Sequence, residues 1–91
     1  MADAHYRFPP ARAYRLNCCL RAIKSDPDYC ARFVADPRAA MTEIGLDEAE
    51  QTALSSLDRG ALATLGAHPY LVFMAELRLR IAREPATLEY F

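Results

Sequence analysis

Apolar residues recur at steps of three and four along most of this chain, and no stretch alternates strictly between apolar and polar. Leu16, Cys19, Leu20 and Ile23 mark one face of a first helix over residues 13–24. Tyr29, Cys30, Phe33 and Val34 mark the inward face of a second. Ala49, Ala53, Leu54 and Leu57 do the same for a fourth, after a short third helix over residues 37–44. A brief fifth helix is expected over 61–65, and a last, longest one over 69–83. Helical period throughout, with no strand pattern, predicts an all-α fold: a single small orthogonal bundle of five to six short helices.

The boundaries are written in local chemistry. Asp26-Pro27 and Asp36-Pro37 each pair a side chain that can cap free N–H groups with a residue suited to the first helical position. Gly45 reads as a left-handed cap that ends the third helix. Asp47 with Glu50 three positions on has capping-box spacing. Asp58, Arg59 and Gly60 read as a turn. In "LGAHPYLVF", residues 65–73, Gly66 closes the fifth helix and Pro69 opens the last. His68 and Tyr70 are thereby held at a sharp corner, and the imidazole can help satisfy the new helix end. Pro85 stops the last helix. Pro9 and Pro10 leave residues 1–11 as an extended arm, and residues 84–91 form a tail.

The last helix carries two apolar rows. Tyr70, Phe73, Met74, Leu77 and Ile81 are expected to face the core. Leu71, Ala75 and Leu79 form the second row, which is expected to face a partner protein. Composition strengthens that expectation. Ninety-one residues make one domain with little interior, yet 53% of them are hydrophobic.

Charge and cysteines narrow the partners. A formal net charge of −1 and interleaved acids and bases give no electrostatic footprint for nucleic acid. The longest apolar run, residues 69–75, is far below the roughly 20 residues that span a bilayer, so no membrane partner is expected. The first ten residues lack the apolar core of a signal peptide. Three cysteines, two of them adjacent, do not make a disulfide framework and suit a reducing cytoplasm. The two histidines, His5 and His68, have no partners at metal-ligand spacing, so no metal or catalytic residue is assigned to this chain.

The ordered set of motifs carries a resemblance. An "F…DP" step at residues 33–37, "GLDEAEQTAL" at 45–54 and "LDRGALATLGAHPYL" at 57–71 are similar to the small (alpha) subunit domain of the protocatechuate 4,5-dioxygenase family. Members of that family are extradiol dioxygenases, which open catechol-type rings with Fe(II) and O₂. The resemblance covers residues 13–75 and implies a non-catalytic small subunit that is an enzyme only within its complex. It implies a large α/β subunit that holds the Fe(II), and an aromatic diol bound at the shared site. It also implies that Gly66, His68, Pro69, Tyr70 and Leu71 form the part of a lid that faces the substrate. The protocatechuate enzyme has Phe where this chain has Leu71, so gallate-, aminophenol- and biphenyldiol-type substrates stand beside protocatechuate. A function of another class is a helical recognition or leader domain of a ribosomal peptide precursor, docking on a modifying enzyme. The short ending "REPATLEYF" is not an obvious modified core.

Overall fold

The computed structural model describes residues 13–83, which form six helices. They are α1 (Ala13–Ser25), α2 (Pro27–Ala35), α3 (Pro37–Ile44), α4 (Glu48–Ser56), α5 (Arg59–Thr64) and α6 (Pro69–Arg83). There is no strand among the described residues. The expected arm and tail lie outside them.

Helices α2 to α6 each start where a side chain caps them. Asp26 accepts from the N–H groups of Asp28 and Tyr29, and Asp36 from that of Ala39. The capping box is complete. Asp47 accepts from Glu50 N–H at 2.8 Å, and Glu50 Oε1 accepts from Asp47 N–H at 2.9 Å.

Helices α3, α4 and α5 end alike. In each, a left-handed residue lets two N–H groups turn back onto the last carbonyls. Leu46, Asp58 and Ala67 donate to the carbonyls of Met41, Ala53 and Leu62, five positions earlier. The left-handed residues are Gly45 (φ 95°), Leu57 (φ 53°) and Gly66 (φ 98°). Leu57 is the departure. It makes the turn that was expected over residues 58–60, so Asp58 is free to cap, and α5 begins at Arg59 instead of Ala61. Gly60 lies inside the helix.

The core is built on α1. Leu16, Cys19, Leu20 and Ile23 are completely or almost completely buried, with Phe33, Met41, Leu54, Leu62 and Leu79 around them. Tyr29 ties three helices together. Its hydroxyl donates to the Ala40 carbonyl at 2.7 Å and lies 3.4 Å from Cys19 Sγ. Gln51, also buried, donates to the Leu46 carbonyl and the Thr42 hydroxyl, which fixes α4 on the end of α3. Val34 is half-buried, and Ala49 is exposed despite its place in the apolar pattern.

Helix α6 packs most extensively on α1, and it does so with the opposite face from the one expected. Leu71, Ala75 and Leu79 are core residues, not a partner surface, together with Val72. Tyr70 and Phe73 are each 54% exposed, and Met74, Leu77 and Ile81 are half-buried. The reason is size. Ala75, with no exposed surface, puts a methyl group at the middle of the inner row, so the two helix backbones can approach. The row of Tyr70 and Phe73 would hold them apart.

Candidate functional site

The corner between α5 and α6 is a rigid, outward-facing structure. Its turn is clamped by a residue far away in sequence. The carboxamide of Asn17, on α1, accepts the His68 N–H at 2.7 Å and donates to the Gly66 carbonyl at 3.1 Å. The same amide nitrogen lies 3.0 Å from the Ala13 carbonyl. Asn17 is 9% exposed, so these bonds replace water that it cannot reach. Ala67 turns inward and anchors the corner in the core.

His68 then caps α6. Its Nδ1 accepts the Tyr70 N–H at 3.2 Å, and its carbonyl accepts the first helical bond, from Val72 N–H at 3.0 Å. Pro69, at the first helical position, has no N–H to satisfy. The turn therefore does what its residue types suggest. It also leaves His68, Pro69 and Tyr70 exposed. Lys24 Nζ sits 6.0 Å from the centre of the Tyr70 ring, near the outer limit of a cation–π contact.

Of the five residues assigned to the lid, four meet at this corner: Gly66, His68, Pro69 and Tyr70. Leu71 does not join them. It points back into the core and is 9% exposed. Next to the corner is a hollow of about 260 Å³ between α5 and α6, lined by Arg59, Ala63, Ala67, Pro69, Val72 and Phe73. The exposed Phe73 is the second aromatic group on this side.

Two contributors were missed in the sequence. Asn17 had a signal, as a lone amide four residues from Ala13 and three from Leu20 on an otherwise apolar face. Arg59 had none. It donates to Glu76 Oε1 through Nε at 3.0 Å and Nη2 at 2.6 Å, and only the fold brings the two together.

The site holds little reactive chemistry. No three His, Cys, Asp or Glu side chains converge among the described residues. Burial pushes the Cys19 thiol up to about 11, which keeps it protonated. What the corner presents is an imidazole, a phenol and apolar surface on a fixed backbone.

Residues 16–81, from α1 to near the end of α6, match the family described as aromatic-ring-opening dioxygenase LigAB, LigA subunit. The chain belongs to this family. As a LigA-family member it is one subunit of a two-component, ring-opening dioxygenase, so a large partner subunit is implied. No curated protein and no solved structure gives a significant match. The LigA match runs through the α5–α6 corner, including all the residues that the sequence assigned to a lid. No described helix of this LigA-family chain is long and apolar enough to cross a membrane.

Proposed function

We propose that this chain is the non-catalytic small subunit of an extradiol dioxygenase. It caps the Fe(II) site of a separate large α/β subunit, and its α5–α6 corner shapes the pocket for an aromatic diol. The observation that carries this reading is the corner itself. Family membership supplies a ring-opening partner, and the corner offers that partner exposed side chains on a backbone locked by Asn17.

The donor set supports leaving the iron to the partner. A non-haem Fe(II) site of the two-histidine, one-carboxylate type needs two imidazoles. The chain has two, His5 and His68, far apart in sequence, and the Nδ1 of His68 already accepts the Tyr70 N–H. When bound in the large subunit, the iron supplies the oxygen chemistry of ring opening. This chain's groups exclude water and orient the ring. The His68 imidazole or Tyr70 phenol is suited to hydrogen-bond a ring substituent, and the exposed Tyr70 ring to cover a ring face.

The test is co-expression with a LigB-type large subunit from the same source, followed by ring-cleavage assays on a panel of catechols with and without Fe(II). A complex that opens a catechol faster than the large subunit alone is the expected result. A large subunit equally active and selective without this chain overturns the capping role.

A further inference from the structure

Three hollows lie end to end along the α5–α6 side. The first is the 260 Å³ hollow at the start of α6. Arg59 and Phe73 wall both it and a second, of about 80 Å³, which Glu76 and Arg80 also line. Glu76 and Arg80 continue into a third, of about 180 Å³, that ends at Arg83. Shared walls make these one groove. At 1.5 Å per residue it follows α6 for roughly 21 Å, from Pro69 to Arg83.

Its chemistry changes along its length. The upper end is apolar, formed by Ala63, Ala67, Pro69 and Val72. The lower end gathers Arg59, Arg80 and Arg83 around one carboxylate, Glu76. Glu76 is already taken, by Arg59 at 2.6 Å and by Arg80 at 3.2 Å. Two positive charges are left in excess, and the Arg59 and Arg80 side chains are more than 60% exposed. Phe73 stands between the two ends, 54% exposed.

We infer that this groove takes a segment of the large subunit, one that places an apolar side chain in the upper hollow and carboxylates against the basic end. The inference rests on the small-subunit reading and specifies its docking surface. The charges favour this occupant over a second copy of the chain. A two-fold dimer through this face would lay α6 against α6, and α6 contains three arginines but a single acid. Such a pairing brings guanidinium groups together or buries them against the apolar hollow, and the one carboxylate each copy offers, Glu76, is already paired with Arg59 and Arg80. A partner segment with an apolar head and an acidic end matches both halves.

The experiment measures the affinity of this full-length chain for its large subunit at low and high salt. Phe73→Ser should weaken binding about tenfold or more at both. Arg80→Glu combined with Arg83→Glu should weaken it by a similar factor at low salt, and the deficit should shrink at high salt. Arg21→Glu, on exposed α1 surface, should stay within about twofold of the unchanged chain. The arginine variants alter surface only, so they test the groove even if Phe73→Ser loosens the fold. If the complex forms and both variants bind like the unchanged chain, the groove is not the docking surface, and the small-subunit reading stands. If the unchanged chain fails to bind, that reading falls and this inference with it. Two further outcomes overturn the inference alone. One is a dimer of the isolated chain that Phe73→Ser abolishes, which makes a second copy the occupant. The other is hydrogen-exchange protection of the groove in the isolated chain that deletion of residues 84–91 removes, which makes the chain's own end the occupant.

Discussion

Asn17 and His68 lie fifty-one positions apart and are joined by a bond of 2.7 Å from the His68 N–H to Asn17 Oδ1. The first helix thus fixes the backbone on which the last helix begins. The corner's shape rests both on its own Gly66 and Pro69 and on one carboxamide in α1.

Replacing that carboxamide should be costly. Asn17→Ala leaves the His68 N–H and the Gly66 carbonyl without their partner. The expected loss is about 1–3 kcal/mol, for two hydrogen bonds at roughly 0.5–1.5 kcal/mol each. Urea unfolding gives the magnitude. Amide spectra should show the largest shifts at residues 66–70, and a change spread evenly over the helices would contradict the clamp.

The two faces of α6 should respond in opposite ways. Leu79→Ala removes a side chain that is 1% exposed and should cost roughly 2–5 kcal/mol. Phe73→Ser, on the half-exposed row, should cost less, no more than about 1.5 kcal/mol. Thermal unfolding of the isolated chain compares them directly. Equal losses would mean that both rows are core.

His68 has two separable duties, capping α6 and facing the pocket. His68→Asp keeps a side-chain acceptor at the cap and places negative charge at a helix start, so stability should hold or rise. His68→Ala should lose about 0.5–1 kcal/mol. In the reconstituted enzyme both variants lack the imidazole. Both should shift the KM for the preferred diol by roughly threefold to tenfold, the worth of one neutral hydrogen bond. Unchanged KM values and substrate ratios would leave His68 as a cap alone. Complete loss of turnover in an intact complex would make it a proton donor or acceptor in the reaction.

Alkaline pH should loosen the core through its thiols. Burial raises the Cys19 thiol from 9.0 to about 11. The unfolded chain therefore gives up this proton first, and the folded state binds more protons between those values. Stability is unaffected by this group below pH 9 and falls as pH climbs from 9 toward 11, by about 3 kcal/mol for a two-unit shift. Burial moves Cys30 and Tyr29 in the same direction. Denaturant unfolding at stepped pH measures the slope, and Cys19→Ala should flatten part of it.

Helix boundaries were legible because their causes are local. Asp26, Asp36 and Asp47 cap within three residues of themselves, and Gly45 and Gly66 turn the chain where they stand. The start of α5 was displaced by two residues because Leu57 adopts a conformation that sequence reserves for glycine. The facing of α6 was not legible. Both its rows are apolar, and the choice between them depends on how closely Ala75 lets α1 approach. The corner was found through Gly66 and Pro69, but its inward-turned Leu71 follows from that same facing. The Asn17 clamp and the Arg59–Glu76 pair join residues with no neighbourhood in sequence.

The pairing of α1 with α6 also sets a clock on biosynthesis. The first helix ends at Ser25, and the helix that covers its apolar face ends at Arg83. At about 5–20 residues per second, the ribosome needs on the order of 3–12 s to make the intervening chain. Throughout that interval the α6-facing side of α1 has no native cover, however well the middle helices have formed. The nascent chain is at greatest risk of misassociation in those seconds, and the arrival of Leu71, Ala75 and Leu79 ends the exposure.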